Sequence, residues 1–162
     1  MADKTIRQSG FSLVELAVVV VIIGLIASMA IPRLSRGSQG AAEGTLRGDL
    51  KVMRHAIELF VAEHQGLLPS KKEQFVAQMT QYTDMAGNVN GTRTAEFCFG
   101  PYLLDVPPLP VGKQAGDSRV ADGGKPGDKN DAGWWYDEDT GDIRANLKND
   151  EVDQAGVPYN QY

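Results

Sequence analysis

The sequence predicts an α+β fold, in which one very long N-terminal helix precedes a small domain with a short helix and a few strands. Three observations support this fold class. An apolar stretch over 11–31 is followed by apolar residues at spacings of three and four through 46–61. A capping sequence at 70–73 opens a short second helix. Strand-like segments at 134–136 and 143–147 lie on either side of a turn-forming Asp-Thr-Gly.

The apolar stretch 11–31 is long enough to cross a bilayer as a helix, at ~1.5 Å per residue. Its one charged residue is Glu15, which costs ~2.5–3.5 kcal/mol in an apolar environment and therefore needs a partner. The polar decapeptide before the stretch ends in Gly10, as a short cytoplasmic leader would. Cleavage after Gly10 would leave an α-amine on Phe11, about one helical turn from the Glu15 carboxylate.

Residues Gly10-Phe11-Ser12-Leu13-Val14-Glu15, together with the apolar run and Pro32, resemble the N-terminus of type IV prepilins and of the pseudopilins of type II secretion systems. The resemblance implies cleavage between Gly10 and Phe11 by a prepilin peptidase, and N-methylation of Phe11. It also implies that Glu15 and Pro32 belong to the region used in subunit assembly. The residues alone leave two alternatives open, a secretory signal cut after Ala30 and a membrane anchor with an incidental glutamate.

The chain is predicted to divide into a leader at 1–10, a membrane-spanning or filament-core half of the long helix at 11–31, an amphipathic half at 32–65 and a globular head at 66–162. Pro32 is expected to kink the helix without ending it, because the apolar pattern resumes after it. A helix reaching about His64 would be roughly 80 Å long at ~1.5 Å per residue. Several glycines between Gly37 and Gly48 lower the helix propensity there, so an extended or melted segment is an alternative.

The head is predicted to combine loops with a small antiparallel sheet. Residues 87–91 are loop by composition, 96–104 indicate a strand that enters a turn at Gly100-Pro101, and 112–133 form a long loop rich in Gly and Asp. The hairpin of strands 134–136 and 143–147 follows. The order of elements, and the Gly-Pro-Tyr-Leu segment at 100–103, are similar to the major pseudopilin of type II secretion, which implies a pilin-like fold.

The negative charge of the chain is concentrated near its C-terminal end. The formal net charge is -5, and residues 117–162 contain eleven acidic and five basic side chains. This excess argues against nucleic acid as a partner. The acidic stretch is interpreted first as a solvated loop with Asx-type turns, and no cofactor is assigned to it. The alternative is a calcium site, since carboxylate oxygens are ligands that calcium prefers and the resemblance to major pseudopilins, which bind calcium in this region, implies one. The candidate ligands are Asp117, Asp122, Asp128, Asp131, Asp137, Asp139 and Asp142.

The sequence lacks the parts of a catalytic site. It has no GxSxG, HExxH, P-loop or dinucleotide fingerprint, so we expect no enzymatic activity. The single cysteine, Cys98, excludes an intrachain disulfide and is expected to be a small buried residue. His55 and His64 have no metal-ligand spacing and are expected on a helix surface or at an interface.

These features favour a structural subunit that is stored in the membrane and assembles into a type IV pilus-like filament, specifically a type II secretion pseudopilus that helps to drive protein export. The resemblance implies four kinds of partner: further copies of the chain, a prepilin peptidase, an inner-membrane assembly platform with minor pseudopilins, and membrane lipid. It places the subunit in the inner membrane, single-pass, with the N-terminus cytoplasmic and the head periplasmic. The alternatives are a pilin of a type IV or DNA-uptake pilus, and a membrane-tethered periplasmic binding domain.

Overall fold

The computed structural model describes residues 11–70, 72–128 and 132–162, with the backbone alone at 29–36 and 72–73. It has the α+β composition that the sequence predicts. The elements are helices α1 (Leu13–Glu63) and α2 (Lys72–Thr80), strands β1 (Tyr82–Thr83), β2 (Val89–Asn90), β3 (Val120–Asp122), β4 (Trp134–Tyr136) and β5 (Ile143–Ala145), and a 3-10 turn at Tyr159–Gln161.

Helix α1 is continuous over 51 residues. It passes through Pro32 without ending, as predicted, and it also continues through the glycine-rich segment from Gly37 to Gly48. The alternative of a melted segment is therefore wrong. The chain divides into two compact units, one ending at Ser38 and the other formed by 39–162. Each unit is described separately below.

The first unit is a helix whose apolar side chains face outward. Its large apolar residues from Leu13 to Ile26 are 44% to 86% exposed. Among the described residues, no helix meets the combined length and hydropathy expected of a membrane span.

The second unit is built around the C-terminal half of α1. The predicted stripe of Leu46, Leu50, Met53, Ile57 and Phe60 is buried, because residues three and four apart share one face of a helix. This face packs into a single core with residues of α2, of the 103–111 segment and of the sheet.

Two small sheets complete the second unit. Strands β3, β4 and β5 form one sheet, in which β4 pairs antiparallel with β5 and parallel with β3. The predicted hairpin is thereby confirmed, with Trp135 opposite Arg144. The predicted small antiparallel sheet is present in the β4–β5 pair, and β3 extends it in parallel on the other side of β4.

Three predictions about loops and strands of the second unit are wrong. Residues 112–133 were expected to form one long loop but contain β3, whose Val120 lies opposite Trp134. The expected loop 87–91 contains β2, which pairs with β1 in an antiparallel hairpin. The expected strand at 96–104 is reduced to an isolated bridge between Phe99 and Thr83. In each case the structure depends on pairing with a residue elsewhere in the chain, and the local amino-acid composition does not indicate that pairing.

Candidate assembly site

The N-terminus of α1 is closed by a reciprocal pair of hydrogen bonds. The backbone N–H of Ser12 donates to Oε2 of Glu15 at 2.9 Å, and the N–H of Val14 donates to the Ser12 hydroxyl at 3.3 Å. This is a capping box, in which Ser12 is the N-cap and Glu15 the third helical residue. Phe11, the residue before the cap, is 85% exposed. Gly10, the other predicted processing residue, lies outside the described residues.

The capping box was not predicted, although the spacing Ser-x-x-Glu at the start of an apolar run is its usual signal. It gives Glu15 a second role beside the predicted one in assembly. The carboxylate satisfies a backbone donor that the helix itself leaves open, and its charge lies at the positive end of the helix dipole. Glu15 is therefore held in a defined position, in contact with Ser12 and about one helical turn from the exposed Phe11.

The helix behind this cap presents an uninterrupted apolar surface. Leu13, Val20, Ile23 and Ile26 are each at least 59% exposed, and together with their neighbours they surround the helix on all sides. Pro32, the other predicted assembly residue, is inside the helix. A contiguous exposed apolar surface of this kind marks a protein or membrane contact.

A second cluster of polar side chains lies where the C-terminal segment crosses α1. The hydroxyl of Tyr159 and the backbone N–H of Gln154 both donate to Oε1 of Glu43, at 3.3 Å and 3.1 Å. Glu43 is only 7% exposed, so these bonds supply the partners that a buried carboxylate requires.

Asp153 forms the centre of this cluster. It accepts hydrogen bonds from the Tyr162 hydroxyl and from the backbone N–H groups of Ala155 and Val157, both at 2.8 Å. These donors, with the Tyr162 hydroxyl the strongest, hold the pKa of Asp153 below its usual value. The Arg47 guanidinium lies 4.8 Å from the centre of the Tyr162 ring and 3.7 Å from the Asp153 carboxylate.

Arg54 joins the C-terminal residue to the sheet. Its Nη2 donates to the carbonyl oxygen of Tyr162 at 2.6 Å and to that of Ile143 at 3.1 Å. The segment from Glu151 to Tyr162, which we call the C-terminal strap, is thus bound to α1 over the roughly three turns from Glu43 to Arg54. The residues of the strap have no periodic pattern that would indicate this contact.

The predicted calcium ligands are engaged with the protein itself. Asp117 forms a bidentate pair with Arg119, with contacts of 2.6 to 3.1 Å, which lowers the pKa of Asp117. Asp142 accepts from Arg144 at 2.6 Å. Asp128 caps its own turn by accepting from the Lys125 N–H at 2.9 Å.

Three other predicted ligands, Asp122, Asp137 and Asp139, lie at or just after the C-terminal end of β4. Asp137 accepts from the Asp139 N–H at 3.0 Å and from the Thr140 hydroxyl at 2.8 Å, and the register places Asp122 opposite Tyr136. Asp131 lies outside the described residues. Within the described ranges, no three His, Cys, Asp or Glu side chains are close enough together to hold a metal ion.

Two further predictions about single residues are wrong. Cys98 is exposed and not buried. His64 is buried, at 2% exposure, and stacks on Phe60 with ring centroids 3.9 Å apart. Its Nδ1 donates to the Phe60 carbonyl at 2.7 Å, which leaves Nε2 to accept from the Thr83 hydroxyl at 3.0 Å. His64 therefore anchors β1 to the end of α1.

Comparison with known proteins agrees with the N-terminal geometry. Residues 6–31 match the prokaryotic N-terminal methylation motif, so the chain carries the signal of type IV pilin-like proteins. Among curated proteins, it is similar to the type II secretion system core protein G of Pseudomonas aeruginosa, with 35% identity over 54 residues, 33% of this chain and 38% of that protein.

Longer matches are found to core protein G of Vibrio cholerae, at 28% identity over 81 residues, and of Pectobacterium carotovorum, at 30% over 77 residues. They cover 50% and 48% of this chain and 55% and 49% of those proteins. The chain thus spans about half or less of the length of the relatives it matches. No solved structure matches it significantly.

Proposed function

We propose that this chain is a structural subunit of a type IV pilus-like filament, specifically a pseudopilus of a type II secretion system. One observation carries the proposal: an outward-facing apolar helix begins just after an exposed Phe11 and is capped by Glu15. No described residue of the first unit covers this surface, and stacking against the same helix of other copies would cover it. The similarity to core protein G supports the secretion assignment over a type IV pilus.

In this proposal, a prepilin peptidase cuts between Gly10 and Phe11, and Phe11 is N-methylated. The residues from 11 to 31 hold the subunit in the inner membrane as a single pass, with the head in the periplasm. An assembly platform and minor pseudopilins then act on the stored subunit. The role is structural and involves no catalysis.

Assembly would place the new α-amine of Phe11 close to Glu15 of a neighbouring copy. An ammonium and a carboxylate that meet in a low-dielectric core stabilise each other, whereas either one alone is strongly penalised there. The capping bond to Ser12 holds the Glu15 carboxylate beside the N-terminus and so prepares it for this contact.

Two substitutions at Glu15 separate its charge from its capping role. Glu15→Ala removes both, whereas Glu15→Gln keeps an acceptor for the Ser12 N–H and removes the charge. We expect both variants to be processed and inserted, and both to yield no filaments when co-expressed with a prepilin peptidase and the secretion apparatus. Electron microscopy of sheared filaments and N-terminal sequencing provide the readouts.

Normal filaments from both Glu15 variants would contradict the assembly role of Glu15, whereas an unmodified chain that forms no filaments would contradict the proposed function. Filaments from Glu15→Gln alone would reduce the role of Glu15 to capping. N-terminal sequencing also tests processing, because a mature chain that begins at Ile31 would indicate an ordinary secretory signal. Replacement of Gly10 by leucine should block the cut, since the peptidase has to approach the backbone closely there.

A further inference from the structure

The second unit carries an acceptor sequence for N-linked glycans that the proposed function does not use. Asn90-Gly91-Thr92 is the single place in the chain with the order Asn-x-Ser/Thr in which x is not proline. Attachment of a glycan requires the asparagine amide, a hydroxyl on the second residue after it, and a position on the surface of an exported protein. The sequence supplies the first two requirements, and the fold decides the third.

The fold presents this tripeptide at the surface. Asn90 is the last residue of β2 and is partly exposed, and Gly91 and Thr92 are exposed, as is the loop that continues to Glu96. A Cβ atom added to Gly91 would meet no described atom within 4 Å beyond the two neighbouring residues. The space beside the tripeptide is therefore open to an enzyme and to a sugar.

The Asn90 side chain is oriented by an Asx turn. Its Oδ1 accepts a hydrogen bond from the backbone N–H of Thr92 at 3.0 Å. In the described part of the chain, no hydrogen bond engages the Nδ2 of Asn90 or the hydroxyl of Thr92. The turn thus fixes the oxygen of the amide and leaves its nitrogen, the atom to which a glycan is attached, without a protein partner.

We propose that Asn90 is a site of N-linked glycosylation, with an oligosaccharide on a lipid pyrophosphate as the sugar donor. The Nδ2 of Asn90 forms a bond to the anomeric carbon of the first sugar, while the bond from that carbon to the phosphate oxygen breaks. The lipid pyrophosphate leaves with the electron pair, and the amide loses one proton to the transferase and then to solvent. The inference rests on the proposed function, because that function places the head on the periplasmic side, where the transferase acts.

A glycan at Asn90 would also cover an open edge of the smaller sheet. Strand β2 pairs with β1 alone among the described residues, and the other side of β1 is bridged to Phe99. The outer edge of β2 therefore has no strand beside it, and its Val89 is 36% exposed. An open edge can pair with another chain, and a bulky polar substituent at its end opposes such pairing.

Glycosylation of the full-length chain tests the site. The chain is co-expressed with a prepilin peptidase, an oligosaccharyltransferase that requires only Asn-x-Ser/Thr, and the polyprenyl-pyrophosphate oligosaccharide that this enzyme transfers. Mass spectrometry of the intact chain should show one added glycan, and peptide mapping should locate it on Asn90.

Four substitutions separate the motif from its surroundings. Asn90→Gln and Thr92→Ala should each abolish the increase in mass, whereas Thr92→Ser should keep it because serine supplies the same hydroxyl. Asn88→Gln is the matched control, since it makes the same change at an exposed position outside the motif, and it should keep the glycan.

A second acceptor separates failure of the site from failure of the proposed function. The same Asn-Gly-Thr sequence is appended after Tyr162 through a flexible linker, where it reports whether the head reaches the periplasm. A glycan on the appended sequence and none on Asn90 would overturn the modification site and leave the proposed function standing, as would a glycan that persists in Asn90→Gln without the appended sequence. A chain with a glycan on neither, in cells that glycosylate an unrelated exported protein, would contradict the periplasmic head and therefore both proposals.

Discussion

The two halves of α1 have the same secondary structure and opposite environments. From Leu13 to Ile26 the large apolar side chains are 44% to 86% exposed, whereas Leu46, Leu50 and Phe60 are at most 1% exposed. The helix itself depends on local hydrogen bonds, which are equally available to both halves. Burial depends on what lies beside the helix. The second half is therefore stabilised by its own chain, while the first half needs a surface from outside, which we propose to be the membrane and then other subunits.

A matched pair of leucine substitutions tests this comparison and has the largest expected effect on stability. Leu50→Ala removes a buried side chain and leaves a cavity in the head, which should lower the free energy of unfolding by about 2–5 kcal/mol. Leu25→Ala changes a side chain that is 60% exposed, and it should leave the unfolding of the head unchanged.

Urea unfolding of the full-length chain in detergent, followed by the fluorescence of Trp134 and Trp135, provides the measurement. Both tryptophans lie in β4 and therefore report on the head alone. Equal effects of the two substitutions would contradict the division of the helix. A loss of assembly in Leu25→Ala, with an unchanged head, would agree with it.

The long helix could be predicted from the sequence because its signals are local and repeated. The apolar stripe through Leu46, Met53 and Phe60 recurs over several turns, so one wrong residue does not change the interpretation. Strand β3 could not be predicted in the same way. Strand β3 is only three residues long. It is defined by the pairing of Val120 with Trp134, and the composition of the segment around Val120 does not indicate that pairing.

The contact between the C-terminal strap and α1 marks the start of the half of the helix that its own chain stabilises. Asp153 ties the C-terminal strap to α1 near Glu43 and Arg47, so Asp153→Asn should destabilise the head at neutral pH. Asp139→Asn in calcium-free buffer is the control, since Asp139 is exposed and no hydrogen bond joins its side chain to another described residue. Thermal melting at pH 7 should show a lower melting temperature for Asp153→Asn than for the control.

The pH dependence of this difference has a definite sign. The pKa of Asp153 is lowered in the folded chain, so its ionised form stabilises the fold. That stability is fully present above the usual aspartate pKa of 3.8 and is lost as the pH falls through the lower, folded pKa. The two melting temperatures should therefore converge below about pH 4. A difference that stays constant into strong acid would contradict this role of the carboxylate.

The assembly site could be predicted in part, for a related reason. The motif around Gly10, Phe11 and Glu15 is contiguous, and so it can be read from the sequence. The C-terminal strap joins Asp153 and Tyr162 to Arg47, more than a hundred residues earlier. No local pattern marks such a network.

The smallest expected effect is the stabilisation of the head by a ligand from outside its own chain. We propose that calcium binds the acidic segment from Asp117 to Asp142. Asp117 and Asp142 already pair with arginines, and Asp128 caps its own turn, so a bound ion has to compete with these partners. A weak site of the kind found in extracellular modules is expected, which stabilises the head by about 1–2 kcal/mol at millimolar calcium.

Thermal melting with EDTA, calcium or magnesium at fixed ionic strength provides the measurement, and magnesium should do less because it demands octahedral geometry. An unchanged melting temperature would mean that these aspartates serve only the turns and ion pairs in which they are found, and that the head, unlike the first half of α1, needs no outside partner.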